Sequence, residues 1–252
     1  MISFTSEQRF IVTGASSGIG ESVALLLNEL GATVIGIGRN QDRLEGMKGK
    51  AMHPENVFLE QKDLAEDIPG LPAYVKSLKE KYGKFSGMAY CAGIGIMSPA
   101  QLLEFETGQK LFATNYFAPL FFTKGLIDRR NNIGKGSSIV HVSSIDAVLS
   151  TKGQCLYSGS KAALSASMKT LSREVAPYGV RINCVLPSMV DTPMAHSQAA
   201  EELGIMEESQ RSLYPFGWAK PKDIANFIVY LLSDKSSFIS GQNYIVDSGG
   251  ML

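Results

Sequence analysis

Strand-like and helix-like patterns alternate along the whole chain, and this alternation narrows the fold more than any other feature. The apolar run Phe10-Ile11-Val12, closed by Gly14, leads into a helical pattern. There Ile19, Val23, Leu26, Leu27 and Leu30 recur at three- and four-residue steps up to Gly31. Thr33 to Ile37 predicts a second strand and Val57-Phe58-Leu59 a weaker third. Leu71, Val75, Leu78 and Tyr82 mark one face of a helix, Met88 to Cys91 reads as a fourth strand, and a further helix is expected from about Gln109 to Leu126. Strands are predicted over Ile139 to Val142, Val180 to Leu186 and Tyr244 to Val246, with helices over Ser158 to Val175 and Lys222 to Leu232. A β-α series of this kind calls for a parallel sheet covered on both faces.

The 252 residues carry 24 basic and 24 acidic side chains, so the formal charge is zero. Nucleic-acid binders normally carry a basic excess, so no nucleic-acid partner is expected. Apolar residues make up 44% and charged ones 19%, which supplies a sizeable core. No apolar run approaches the ~20 residues that span a bilayer, and no membrane partner is expected. No linker, repeat or shift of composition divides the chain, so one domain over residues 1–252 is the expectation. One stretch breaks the rhythm. From Ser188 to Pro221 there is no strand signal, only a weakly helical acidic stretch before Tyr214-Pro215-Phe216-Gly217-Trp218, and a long insertion of this kind reads as a substrate-binding lid. Cys91, Cys155 and Cys184 show neither a CxxC pair nor metal-ligand spacing, and the start lacks a charged-then-apolar leader. A reducing, cytoplasmic setting and no metal site are expected.

Two motifs carry chemistry. Between the first strand and the first helix lies Thr13-Gly14-Ala15-Ser16-Ser17-Gly18-Ile19-Gly20, with glycines at offsets zero, four and six. Glycines here allow a tight turn and bring a pyrophosphate close to the helix N–H groups. The second strand ends in Gly36-Ile37-Gly38-Arg39-Asn40, where an NAD-selective chain would place an acidic residue against the ribose 2′-hydroxyl. The fork of Arg39 suits a 2′-phosphate instead, which favours NADP over NAD, although Ser17 is not the second basic residue that would strengthen this choice. A solvated Arg opening the turn from Arg39 to Arg43 is the other reading. The second motif is Tyr157-Ser158-Gly159-Ser160-Lys161. A four-residue step on a helix puts Tyr157 and Lys161 on one face, and a nearby ammonium would bring the phenol, with an ordinary pKa near ~10, toward working pH.

Taken together, these residues resemble the short-chain dehydrogenases/reductases over nearly the whole chain. The match rests on TGASSGIG at 13–20, Asp63-Leu64, Ala92-Gly93, Asn115, Ser144, Tyr157 with Lys161, Pro187 with Thr192, and Asp247-Ser248-Gly249-Gly250, in the family's order and at its spacings. The resemblance implies a doubly wound (Rossmann) α/β fold with the cofactor across the carboxyl ends of the strands. It implies that Tyr157 is the general acid in carbonyl reduction and the base in alcohol oxidation. Lys161 would lower the Tyr157 pKa and hold the nicotinamide ribose, Ser144 would donate to the carbonyl oxygen, and Asn115 would support a water chain to Lys161. The cofactor would meet Gly14, Ser16, Ser17, Gly18, Ile19 and Gly20 of the turn, and Arg39 with Asn40. It would also meet Asp63 and Leu64 at the adenine, the Cys91-Ala92-Gly93 turn, and Pro187, Val190 and Thr192 near the carboxamide. The implied activity is hydride transfer between NADP(H) and a small carbonyl or secondary alcohol, most similar to 3-oxoacyl-thioester reductases. Hydroxysteroid, sugar or polyol dehydrogenases share the same core, and a non-catalytic NADP(H) sensor is the distant alternative.

Two positions depart from the family pattern. Cys91 stands where the family usually has Asn, losing an amide that braces the central strands, and Ser188 replaces the Gly after Pro187. His141 is expected to pack inside its strand, and Cys155 either lines the substrate pocket or packs. Asp146 and Gln154 flank the catalytic pair and are candidates for substrate contact. Glu201, Glu202, Glu207 and Glu208 suit a solvated helix face, and Phe216 and Trp218 suit either closing a lid or packing beneath it. No clear basic patch for an acidic carrier protein appears beyond Arg129-Arg130, which weakens the acyl-carrier version. The resemblance also implies a homodimer or homotetramer paired through helices, with Leu111, Phe112, Phe117, Phe121 and Phe122 offering more apolar surface than one face hides.

Overall fold

The computed structural model describes residues 1–149, 151–196 and 214–250. Seven parallel strands form one sheet in the order β3-β2-β1-β4-β5-β6-β7. They are β1 (Arg9–Thr13), β2 (Thr33–Gly38), β3 (Val57–Gln61), β4 (Gly87–Tyr90), β5 (Ser138–Val142), β6 (Arg181–Pro187) and β7 (Asn243–Val246). The helices are α1 (Gly18–Glu29), α2 (Gln41–Lys48), α3 (Leu71–Tyr82), α4 (Phe105–Phe112), α5 (Ala118–Leu126), α6 (Cys155–Val175) and α7 (Pro221–Leu232). The fold is the doubly wound one. β1 pairs with β2 on one side and β4 on the other, with Phe10 opposite both Val34 and Gly87. The chain winds outward from β1 to β3 and then returns to β4, which opens a crevice beyond the carboxyl ends of β1 and β4.

The inner strands are short and largely apolar because both of their faces are covered; every residue of β2 and β6 is buried, whereas the edge strands β3 and β7 are partly exposed. One core lies beneath α1 and α7, centred on Val12, Val23, Leu27, Ala89, Val140 and Ile228. The other lies beneath α3, α5 and α6, centred on Ile11, Leu78, Met88, Phe122, Ile139 and Leu164. Arg181 opens β6 inside the protein, where its guanidinium donates to Leu231 O at 2.9 Å and Ser233 O at 3.0 Å. A cation there satisfies the last carbonyls of α7 and complements the negative end of that helix.

The structure differs from the sequence expectations in two elements. Helix α2 was read only as a turn, because its polar sequence buries just Leu44 and Met47. The helix expected from Gln109 begins at Phe105 and is divided by a π turn over Ala113–Phe117 before α5 resumes. Pro119 has no N–H to return to the Asn115 carbonyl four residues back, so the ladder changes register there. Leu111 and Phe122 are fully buried within the chain, which leaves Phe112, Phe117 and Phe121 as the apolar surface of that region. Among the described residues no helix is long and apolar enough to cross a membrane.

Candidate active site

The turn after β1 has a shape that only glycine allows. Gly14 and Gly18 have φ of +68° and +57°, and a Cβ at Gly14 would lie 3.0 Å from Ala92 N. A Cβ at Gly20 would overlap the Gly14 carbonyl, so its absence lets α1 sit directly against the turn. Ser17 is the extended N-cap of α1, and its side chain makes no capping bond. The first-turn N–H groups of the helix therefore face the crevice, as a pyrophosphate requires. Gly18 approaches the Thr192 methyl at 3.1 Å from its virtual Cβ, which places Thr192 across the turn. Val190 is buried and bridges Ala219, and Pro187 ends β6 beside them.

At the end of β2, a Cβ on Gly38 would lie 3.2 Å from Ser16 Oγ, so the serine and the start of Arg39 share one corner. Arg39 pairs loosely with Asp63 at 3.8 Å, with side chains 69% and 44% exposed. Asn40 has a structural duty: its side-chain oxygen caps α2 by accepting from Arg43 N at 2.9 Å. Asp63 accepts from Ala65 N, and Leu64 is buried next to it.

Thr13 supplies a brace that the sequence reading missed. Its hydroxyl oxygen accepts from both Cys91 N and Ala92 N at 3.1 Å, tying β4 to β1 without the side-chain amide that Cys91 lacks. A threonine at the end of an apolar strand gives no local sign of this duty, since both partners lie almost eighty residues away. Ser188 keeps an ordinary backbone φ and donates its N–H to Val246 O at 3.1 Å, so that position does not require glycine.

The catalytic candidates come together where β5 ends and α6 begins. Asn115 sits in the π turn, fully buried, and its amide is paired with the backbone of Ile94: Oδ1 accepts from N and Nδ2 donates to O, both at 2.9 Å. A Cβ on Gly93 would lie 3.2 Å from Asn115 Oδ1 and 3.4 Å from Lys161 Nζ, so the glycine lets these two groups approach. Lys161 donates to Val142 O at 2.9 Å and lies 5.8 Å from the centre of the Tyr157 ring. Burial brings its pKa down to about 8, against smaller opposing effects of Cys184 and Cys91. Ser144 follows β5 beside the Tyr157 phenol, and donates to Asp146 Oδ2 at 3.2 Å.

The expected lowering of the Tyr157 pKa is not what this site shows. Burial pushes the phenol up to about 12; the Ser144 hydrogen bond opposes this and the Asp146 carboxylate adds to it. Among the described residues Lys161 makes no hydrogen bond to the phenol, because its ammonium turns to the Val142 carbonyl. His141 packs inside β5 as expected, bonding Thr123 Oγ1 at 3.0 Å and stacking on Tyr90. Cys155 is exposed at the start of α6, and Phe216 is 89% exposed rather than packed. The acidic stretch Glu201 to Glu208 lies outside the described residues.

A family model described as enoyl-(acyl carrier protein) reductase matches residues 14–251. The chain belongs to the short-chain dehydrogenase/reductase family. This short-chain dehydrogenase/reductase is 32% identical to the NADP-dependent (R)-specific alcohol dehydrogenase of Lentilactobacillus kefiri, covering 95% of this chain and 94% of that one. It is 30% identical to the NAD-dependent glycerol dehydrogenase of Listeria innocua, over 95% and 92% of the two chains. A dehydrogenase/reductase from Sinorhizobium meliloti superposes with a TM-score of 0.87 at 27% identity, covering 99% of this chain and 97% of that one. The protein is accordingly an oxidoreductase of CH–OH and carbonyl groups that uses NAD(P)(H).

Proposed function

We propose that the protein reduces a small ketone to a secondary alcohol with NADPH, in the 3-oxoacyl-thioester reductase manner that its motifs suggest. The observation that carries this is the half-buried Tyr157 beside Ser144, with Lys161 on the same helix face and its Nζ 5.8 Å from the centre of the Tyr157 ring. The residues present suit the cofactor. The glycine turn and the free N-terminus of α1 would take the pyrophosphate, Arg39 and Ser16 the 2′-phosphate, Asp63 and Leu64 the adenine, and Val190 and Thr192 the carboxamide. When bound, NADPH supplies the hydride. Tyr157 holds the proton that the substrate oxygen receives, and Ser144 offers that oxygen a hydrogen bond as charge develops on it. Asn115 fixes the Ile94 backbone beside Lys161; residues 197–213 of the stretch expected to form a lid lie outside the described residues. Phe112, Phe117 and Phe121 support association into a homodimer or homotetramer, which light scattering would show as a multiple of 27.2 kDa.

The test is NADPH oxidation followed by absorbance on an acetoacetyl thioester, a ketosteroid and a keto-sugar, beside the Tyr157→Phe variant. Turnover that vanishes in the variant while NADPH still binds supports the reading. Turnover that survives without the phenol overturns it.

A further inference from the structure

A serine hydroxyl has one proton and two lone pairs, and at Ser144 the chain itself engages them. The oxygen accepts from Asp146 N at 3.1 Å and the proton goes to Asp146 Oδ2 at 3.2 Å. The carboxylate is held in place from its other side, since Thr151 Oγ1 donates to Oδ1 at 2.7 Å. Asp146 Oδ2 therefore faces the reacting serine with a fixed orientation.

This arrangement bears on which ketones the site accepts. To help a carbonyl oxygen, Ser144 must withdraw its proton from a carboxylate, a strong acceptor that is then left without its donor. A plain ketone offers nothing in exchange. A ketone with a hydroxyl on the adjacent carbon does: its O–H can go to Asp146 Oδ2 while its carbonyl takes the Ser144 proton. Oxygens on adjacent carbons lie about 3 Å apart, roughly an O–H···O contact, and Ser144 Oγ and Asp146 Oδ2 are 3.2 Å apart. The two bonds can thus run side by side.

We propose that Asp146 is a specificity residue that contacts substrate and selects ketones bearing a hydroxyl on the neighbouring carbon, and vicinal diols in the reverse direction. The proposal rests on the carbonyl-reduction reading above and narrows its substrate to small hydroxyketones rather than 3-oxoacyl thioesters, which carry no such hydroxyl. In the forward step the carbonyl carbon takes the hydride that bound NADPH would supply, the C=O π pair moves to oxygen, and that oxygen takes the Tyr157 proton, which solvent returns to the phenolate. The products are NADP⁺ and a diol, and the hydroxyl on Asp146 keeps its own proton throughout. The basic pair Arg129 and Arg130 lies between α5 and β5, at the amino ends of the strands, away from this carboxyl-end site.

The experiment compares hydroxyacetone with its isostere butanone, using the full chain and NADPH, in the parent protein, Asp146→Ala and Asp146→Asn. The expected kcat/KM ratio in the parent favours hydroxyacetone by roughly 10- to 100-fold, the discrimination a charge-assisted bond supplies. Asp146→Ala brings the ratio close to one, chiefly through the KM for hydroxyacetone, and Asp146→Asn, which keeps an acceptor, retains part of it. A ratio unchanged in Asp146→Ala, with both ketones losing activity together, shows a residue that merely props the turn at Ile145–Ala147 and overturns the proposal. Tyr157-independent turnover, or none on any carbonyl, overturns the reductase reading itself.

Discussion

Arg39→Ala tests the cofactor corner most directly. The guanidinium stands at the end of β2, 69% exposed, and its 3.8 Å contact with the half-exposed Asp63 is worth at most about 1 kcal/mol. Removing it should hardly touch the fold; for a domain of this size about 1 kcal/mol shifts Tm by roughly 2 to 4 °C. Cofactor binding should respond far more. Hydrogen bonds from Arg39 to a 2′-phosphate are charge-assisted, worth about 1.5 to 3 kcal/mol, which is roughly 10- to 150-fold in affinity. NADH lacks that phosphate and should bind the variant as it binds the parent. Fluorescence titration of both cofactors gives the ratio, and added salt should weaken NADPH more than NADH. Gly38→Asp approaches the same corner from the other side. Its Cβ meets Ser16 Oγ and Leu44 Cδ2 at 3.2 Å, and its carboxylate repels a phosphate. Equal losses for NADPH and NADH in Arg39→Ala, or no loss for either, would refute the selector role.

Three further outcomes are expected. Gly125→Ala should cost about 1 to 3 kcal/mol, because its Cβ would lie 2.9 Å from Pro72 Cα and from Val75 Cβ where α5 crosses α3; a thermal melt matching the parent would contradict this packing. Burial holds His141 down to about 3, so the folded protein leaves it neutral where the unfolded chain, near pH 6.5, takes a proton. Its contribution is therefore complete above pH 6.5 and falls by about 1.4 kcal/mol per unit as pH drops toward 3, a slope that urea titrations of His141→Gln should lack. Thr13→Val should loosen the link between β1 and β4 and raise hydrogen exchange at the Cys91 and Ala92 amides; unchanged protection there would show that Thr13 is not the brace.

Much of this protein was legible in its residues because the signals were local. The β-α alternation, the glycines at 14, 18 and 20, and the Tyr157 to Lys161 step each depend on neighbours within one turn or one strand. Their consequences for fold and family follow from steric and periodic rules that act over a few residues. Where local propensity was weak or divided, the reading fell short: α2 hides in a polar sequence, and the π turn at Asn115 arises from Pro119 breaking a ladder that periodicity alone treats as continuous. Tertiary structure decided what depends on distance and burial. It placed Thr13 under β4 in the role left vacant by Cys91, turned Lys161 toward Val142, and raised the Tyr157 pKa where spacing alone had suggested lowering. It also aimed the Ser144 proton at Asp146. Hydrogen-bond direction and desolvation are set by groups that only the folded chain brings together, and so sequence spacing could name the reacting side chains but not the state in which they are held.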